Sequence, residues 1–205
     1  MNLHAALLFG GRTMSERGDQ TREKIRYAAS LLFSQKGFSS VTMKDICDVT
    51  GLSRGGLYRH YGSTAEIFKD IFSVANGSQI DLIAQTIERN GSAAEAMDQL
   101  LDLLYAEMVD SETTLSLAIY EYGQNCDNSF IRDMHIRTIE KWSRLIEYGI
   151  SRGEFGPVDV AQMVDLLLYS YQGVRMCSKM LPDTASAADH VISHIRNVLK
   201  PKTEN

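Results

Sequence analysis

The sequence predicts an all-α protein with about nine helices joined by short turns. Apolar residues recur every three or four positions along almost the whole chain, and no segment keeps the apolar–polar alternation of a half-buried strand. Only 3 prolines occur in 205 residues, so few positions interrupt the helical pattern. These observations favour packed helices over any fold that contains a sheet.

The composition is that of an ordinary globular protein. Hydrophobic residues make up 44% of the chain and charged residues 23%, enough for a sizeable core in one large or two small domains. The cysteines Cys47, Cys126 and Cys177 form no CxxC pair, so we expect reduced thiols in a cytoplasmic protein rather than a disulfide framework or zinc module. No apolar run approaches the ~18 residues that cross a bilayer. We expect no membrane segment and no cofactor.

The first two helices are predicted from their ends. The first has its apolar face followed by Gly37, a typical helix terminator. The second begins after Thr42, whose side chain can cap the next turn while Asp45 occupies the reciprocal third position. This helix runs only to about Val49.

A third, very short helix is predicted over residues 53–61, with Ser53 as its cap. Gly62 ends it, and Ser63 followed by Glu66 forms a second capping box. A long helix follows and ends near residue 90. Further helices are expected from Ser92, around 115–120, over 128–152, over 160–180 and over 186–199.

Charge is distributed unevenly along this helical pattern. Residues 15–72 carry a net charge of +2, whereas residues 73–205 carry −8. A polyanion would therefore contact the first third of the chain.

Two short helices joined by a turn that contains Gly51 have the shape of a helix-turn-helix. We expect an apolar seam between them, made by Ile46, Val49, Leu52 and Leu57. The outward positions of the third helix are rich in hydrogen-bond donors, which can contact the phosphates and base edges of DNA. Two glycines within so short a helix indicate close approach of another surface, such as a DNA groove. The alternative is a three-helix subdomain with a polar surface and no DNA partner.

The spacing Thr42-x3-Ile46-x4-Gly51-Leu52-Ser53-x-Gly55-x-Leu57-Tyr58-x-His60-Tyr61-x-Ser63-x-x-Glu66 resembles the DNA-binding domain of TetR-type transcriptional regulators over residues 20–70. The resemblance implies a homodimer that binds a palindromic operator in double-stranded DNA, usually as a repressor. It also implies release by a small-molecule effector. The implied domains are 15–66 for DNA binding and 67–205 for ligand binding and dimerisation. Residues 1–14 would be a disordered segment, a cloning remnant or an upstream start.

The same resemblance implies which residues touch DNA. Phosphate contacts are implied for Thr42, Tyr58 and His60. Base or phosphate contacts are implied for a further set on the same two helices, namely Lys44, Ser53, Arg54, Gly55 and Arg59.

Three positions depart from the family pattern. Gly62 and Thr64 stand where lysines are frequent, and Tyr61 stands where phenylalanine is frequent. Loss of these lysines would remove about one phosphate contact per subunit and lower the salt dependence of DNA binding.

A ligand cavity is expected in the second half, where long helices carry aromatic residues and methionines at helical spacing. The competing interpretation of each such residue is ordinary core. Polar residues interspersed with them are sharper candidates. The candidate ligand-binding residues are Tyr105, Met108, Tyr120, Glu121, Gln124, Met134, His135, Trp142, Tyr169, Gln172 and Arg175.

The charge of the ligand stays open at this point. Glu121 lies between two tyrosines and suits a cation, or it is simply a solvated carboxylate. Arg175 suits an anion, or it pairs with an acid such as Asp165 or Glu147. His190 and His194 have a metal-binding spacing, yet without a further ligand we expect two exposed histidines and no metal.

The last two helices are expected to form the dimer interface, because the helix over 160–180 is apolar around much of its surface. The interface residues predicted there are Val164, Leu168, Tyr171 and Gly173.

Two other classes of protein are disfavoured. A small helical enzyme is disfavoured because the sequence contains no HExxH, Walker or Rossmann glycine motif. A protein-interaction adaptor without DNA binding is disfavoured by the presence of Arg54, Tyr58 and His60.

Overall fold

The computed structural model describes residues 16–201, and the side chains of residues 18–74 and 82–201. These residues form nine helices and no strand, which confirms the all-α prediction. The segment 1–14 lies outside the described residues. In chain order the helices are α1 Glu16–Lys36, α2 Met43–Thr50, α3 Arg54–Tyr58, α4 Thr64–Glu88, α5 Ala93–Val109, α6 Ser116–Asn125, α7 Asn128–Ser151, α8 Val160–Cys177 and α9 Thr184–Leu199. Of the described helices, none is long and apolar enough to span a membrane.

The predicted helix ends are largely confirmed. Gly37 ends α1 with a φ of +75°, and its N–H donates to the Phe33 carbonyl at 3.0 Å. The side chain of Ser92 caps α5 by accepting the Glu95 N–H at 3.2 Å. The boundaries differ most at α6, which runs on to Asn125 rather than ending near residue 120, while α8 ends at Cys177 rather than near 180.

The chain divides into two compact units, and neither is continuous in sequence. The first unit comprises residues up to 78 together with 115–131, and the second comprises 79–114 together with 132 onwards. Helices α4 and α7 therefore each contribute to both units. The predicted boundary at 66/67 separates a DNA-binding from a ligand-binding domain, and this functional division stays a prediction. The first compact unit extends beyond that boundary and also includes α6.

The core of the first unit is aromatic, and α6 supplies one of its rings. Tyr122 is 1% exposed and stacks on Phe68, with ring centroids 4.5 Å apart and planes at 14°. Phe38 meets both rings edge-on, at 5.0 Å and 5.2 Å. Buried aromatic pairs contribute about 0.5–1.5 kcal/mol each beyond their burial of apolar area. These contacts explain why α6, although distant in sequence, belongs to the same unit as α1–α3 and the first part of α4.

The core of the second unit lies among α5, α7, α8 and α9. Its largest fully buried side chain is Trp142, at 1% exposure, surrounded by leucines and isoleucines such as Leu101 and Ile195. The α7–α8 loop is fastened to the start of α5, since the Glu154 carboxylate accepts the Ala94 N–H at 3.0 Å. That hydrogen bond is the main reason why the pKa of Glu154 falls to about 2.

Candidate nucleic-acid interface and ligand region

A complete capping box holds the start of α2. The Thr42 hydroxyl oxygen accepts the Asp45 N–H at 3.2 Å, and Asp45 Oδ2 accepts the Thr42 N–H at 2.9 Å. The Thr42 hydroxyl also donates to this carboxylate, which, with the backbone bond, lowers the pKa of Asp45 to about 2. The predicted box is therefore confirmed.

The second capping box differs from the prediction in its reciprocal half. Ser63 Oγ accepts the Glu66 N–H at 3.2 Å as expected. The Glu66 carboxylate, however, accepts the N–H of Gly62 at 2.7 Å, one residue earlier than a capping box requires. A side chain at position 62 would crowd this carboxylate, because a Cβ there would lie 3.0 Å from Glu66 Oε1.

The turn between α2 and α3 needs a glycine. Gly51 has a φ of +69° and donates its N–H to the Cys47 carbonyl at 2.8 Å. Only glycine adopts this left-handed conformation without steric penalty. The Thr50 hydroxyl donates to the Ile46 carbonyl at 2.6 Å, and Ser53 then caps α3 through the Gly56 N–H at 3.1 Å.

The seam between α2 and α3 is smaller than predicted. Ile46 and Leu57 are completely buried, and Leu52 packs against the same core at its edge. Val49 is 58% exposed, so its predicted place in the seam is wrong. Val49 is exposed although its neighbour Thr50 is buried, and helix periodicity alone did not separate the core positions of α2 from those at its edge.

The outer surface of α2 and α3 carries the predicted DNA-contacting residues. Of the eight, seven are exposed and His60 is half-buried. Arg54 places its guanidinium 5.6 Å from the centroid of the Tyr58 ring, which keeps the two side chains together. Arg59 reaches back to the Gly55 carbonyl with a long contact of 3.4 Å.

The two glycines of α3 differ in their surroundings. A Cβ at Gly56 would lie 3.2 Å from Ser53 Oγ, so an intramolecular contact restricts that position. A Cβ at Gly55 would meet no atom within 4 Å. Gly55 therefore leaves exposed backbone that a groove could approach.

Positive charge remains available on the first unit. Its described side chains include eight lysines and arginines, of which three are ion-paired. The pairs are Arg26–Asp70 at 3.1 Å, Lys36–Asp45 at 3.3 Å and Lys69–Asp127 at 2.6 Å. The other five have no described carboxylate within ion-pairing distance, and they are Arg22, Lys24, Lys44, Arg54 and Arg59.

Arg22 was not among the residues predicted from the sequence. It lies on α1 and donates from Nη2 to the His60 carbonyl at 3.3 Å. Its guanidinium stands 5.0 Å from the centroid of the Tyr61 ring. No local pattern identifies it, because the contact joins residues 38 positions apart.

Residues 25–71, which contain this helix-turn-helix, match the family model of bacterial regulatory proteins of the tetR family. YfiR of Bacillus subtilis, described as an uncharacterized HTH-type transcriptional regulator, is 30% identical over 152 residues, which is 72% of this chain and 74% of YfiR. The chain belongs to the TetR family. The HTH-type transcriptional repressor KstR2 of Mycobacterium tuberculosis is 24% identical over 153 residues, 72% of each chain.

Solved TetR-family structures share the fold along almost the whole chain. A regulator from Chloroflexus aurantiacus superposes with a TM-score of 0.68 at 23% identity, covering 89% of this chain and 96% of the other. One from Agrobacterium tumefaciens reaches 0.73 at 14% identity, covering 90% and 100%. These structures show the shared fold, and membership of the family makes this chain a DNA-binding transcriptional regulator.

The predicted ligand-binding residues fall into both units. Tyr120, Glu121 and Gln124 belong to α6 in the first unit. The others belong to the second unit, where Met108 and Trp142 are buried core residues, Tyr105, Met134 and His135 are half-buried, and Tyr169 and Gln172 are exposed. The ring of Tyr169 is 66% exposed and lies 6.3 Å from that of His135, centroid to centroid.

Glu121 has a structural role within the first unit. Its Oε2 accepts the Ser39 N–H at 2.8 Å, in the loop between α1 and α2. A Cβ at Gly37 would lie 2.6 Å from the same oxygen, so the carboxylate fits against that glycine. Asn125 adds a bond to Ser39 Oγ at 3.1 Å. Neither predicted alternative, a cation ligand or a solvated carboxylate, describes this contact.

Arg175 is 8% exposed and joins a buried polar cluster in the second unit. Its Nη1 donates to the Tyr171 hydroxyl at 2.7 Å, and that hydroxyl donates to the Glu107 carboxylate. Glu107 stands 3.9 Å from Arg175, so the ion-pair partner is neither of the acids named from the sequence, Asp165 and Glu147. The Arg175 Nε is buried and has no hydrogen-bond partner.

Lys141 is a further buried cation that the sequence analysis missed. It is 7% exposed, and burial lowers its pKa to about 8 despite the opposing influence of Glu107. Its position beside Trp142 on the amphipathic α7 was the only available sequence signal.

The predicted dimer-interface residues have different environments within one chain. Val164 is fully buried and Leu168 is 8% exposed, so both belong to the protomer core and offer no surface to a second chain. The hydrophobic face of α8 was correctly recognised, but it packs inward. Tyr171 is half-buried in the Arg175 cluster, and Gly173 is exposed with open space around its Cα.

Proposed function

We propose that this TetR-family regulator is a repressor that binds a palindromic operator as a homodimer and leaves it when a small molecule binds the second unit. The observation that carries the DNA-binding part is α3, which buries Leu57 and exposes Arg54 and Tyr58, with the exposed Arg59 directly after it. The major groove of B-DNA is wide enough to admit such a helix. In this arrangement Arg54 reads a base edge, and Tyr58 and Thr42 hold phosphates.

A dimer is supported by an apolar stripe on α8 that the chain itself leaves uncovered. Leu166 is 42% exposed, Tyr169 66% and Met176 38%, and they follow helical spacing with the exposed Gly173 between them. A two-fold pair of such stripes would bury all four positions and allow close helix approach at the glycine. This stripe replaces the inward-facing Val164 and Leu168 as the proposed interface.

The effector is proposed to be an organic anion. The buried Arg175 lies near the carboxylate of Glu107, and Asp110 also acts on it, yet its Nε has no hydrogen-bond partner. Buried charge is costly unless it is compensated, and a ligand carboxylate could accept from the unpartnered Arg175 Nε. A cationic ligand would meet like charges there.

Selection of bound fragments from random duplex DNA tests the proposal. We expect enrichment of a palindrome whose half-sites are about one helical turn, ~34 Å, or somewhat more apart. Aromatic and aliphatic carboxylates, each paired with its uncharged amide, are then titrated into the complex. Release by acids but not amides is expected, whereas enrichment of no sequence would contradict the DNA-binding part.

A further inference from the structure

The fold brings one cation of α1 to the end of the proposed recognition helix. Arg22 reaches the carbonyl of His60 at 3.3 Å and lies over the ring of Tyr61 at 5.0 Å. His60 and Tyr61 directly follow α3. The guanidinium is therefore positioned where the chain leaves the proposed DNA-binding surface and enters α4.

Most of the hydrogen-bonding capacity of this guanidinium is unused. Arginine has five N–H donors, and one of them is engaged at the His60 carbonyl. The carboxylate that binds the Tyr61 hydroxyl at 2.5 Å, Asp70, is already paired with Arg26 at 3.1 Å. Arg22 is exposed and has no described carboxylate partner. The His60 carbonyl and the Tyr61 ring thus hold the Arg22 side chain in place, but no described carboxylate neutralises its charge.

The stretch that follows α3 contains no positive charge of its own. Residues 60–68 include no lysine or arginine, and their one carboxylate, Glu66, binds the Gly62 N–H. A DNA phosphate that approached His60 would meet this negative charge. A cation from another helix is needed to offset it, and Arg22 is the one that the fold supplies.

We infer that Arg22 holds a DNA backbone phosphate beside His60, so that the DNA-binding surface extends from the helix-turn-helix onto α1. This inference rests on the proposed function. A guanidinium donates charge-assisted hydrogen bonds to phosphate oxygens. The contact is independent of sequence, because phosphates are the same at every base pair.

The test compares the salt dependence of DNA binding for wild type, Arg22→Gln, Arg22→Lys and Lys24→Gln. Lys24 is the matched control, since it is exposed on the same helix, two residues along, and also lacks a described carboxylate partner. Glutamine keeps a donor for the His60 carbonyl, and thermal unfolding checks that each variant is folded. Binding is measured on the selected operator and on a scrambled duplex between 50 and 200 mM salt.

Each lost phosphate contact lowers the salt slope by about 0.9, so a dimer that loses two should lose about 1.8. When salt is raised from 50 to 200 mM, the factor by which affinity falls should be about tenfold smaller for Arg22→Gln than for wild type, on both duplexes. Arg22→Lys and Lys24→Gln should keep the wild-type slope. Equal slopes for Arg22→Gln and Lys24→Gln would overturn the inference alone. A wild type that binds neither duplex would overturn the proposed function as well.

Discussion

The two units of this chain differ in whether they bury cations. In the first unit, none of the eight described lysines and arginines is buried. Five of them have no described carboxylate partner, and three of these five lie on α2, α3 or directly after α3. In the second unit, Arg175 and Lys141 are buried, and Arg196 binds both Asp98 at 3.0 Å and Asp102 at 2.6 Å. Unpaired surface cations suit a large external polyanion, whereas buried cations suit a small ligand enclosed by helices.

The largest effect is expected from a substitution in the buried part of α3. Leu57→Ala removes its one completely buried side chain, and we expect the free energy of unfolding to fall by about 2–5 kcal/mol. The control is Val49→Ala in α2, which is 58% exposed and should change stability by no more than about 0.5 kcal/mol. Urea unfolding measures both. If the two variants lost similar free energies of unfolding, Val49 would belong to the apolar seam between α2 and α3 after all.

The buried charge of the second unit can be tested by pH. Burial lowers the pKa of Lys141 from the usual 10.5 to about 8. Between these values the unfolded chain binds more protons than the folded one, so stability should rise as pH increases. Lys141→Met should remove this rise and stabilise the protein at pH 7, by at most about 3 kcal/mol.

The free energy of unfolding is measured from pH 7 to 9.5, below the ionisation of unfolded tyrosines near pH 10. Lys24→Met, an exposed change in the first unit, should keep the wild-type slope. A wild type whose stability does not change over this range would show that Lys141 is not buried as a cation.

Communication between the units should appear as reciprocal binding. A ligand that favours the DNA-free form must lose affinity in the presence of operator by the same factor by which it weakens DNA binding. A coupling of ~1–3 kcal/mol corresponds to about 5- to 150-fold. Trp142 is the single tryptophan and lies beside Lys141, so its fluorescence is the measurement used to follow ligand binding. Ligand affinity that is the same with and without operator would contradict release by this route.

The smallest expected effect is the difference in stability between alanine substitutions at the two glycines of α3, Gly55 and Gly56. Gly55→Ala meets no atom within 4 Å and should stabilise the free protein by up to about 1 kcal/mol, while weakening DNA binding if a groove approaches there. Gly56→Ala must push against Ser53 Oγ, so it should destabilise the cap and the helix together. Unchanged operator affinity for Gly55→Ala would show that no DNA backbone comes close at that position.

Local patterns were sufficient to predict the first helices and the exposed side chains of α3. The box between Thr42 and Asp45, the left-handed Gly51 and the cap at Ser53 are all contacts within a few residues. Such contacts can be recognised from spacing alone. The match between residues 25–71 and the TetR family model concerns the same stretch.

Contacts between distant residues could not be predicted in this way. Glu121 binds the backbone of Ser39 across 82 positions, and Arg175 meets Glu107 through Tyr171 rather than through a neighbour on its own helix. Val164 shows the same limit, since an apolar face predicts burial but not whether the protomer or a partner provides it. The ligand region and the interface therefore depended on packing, which periodicity does not specify.

The division of labour on α3 can be tested directly by binding titrations of Arg54→Ala and Tyr58→Phe with the selected operator and a scrambled duplex. Arg54→Ala should lose ~1–3 kcal/mol on the operator and little on the scrambled duplex, because its guanidinium reads a base edge. Tyr58→Phe should weaken both duplexes by the same factor, because its hydroxyl holds a phosphate. If Arg54→Ala weakened both duplexes equally, or if wild type bound them with one affinity, α3 would not be the element that reads the operator.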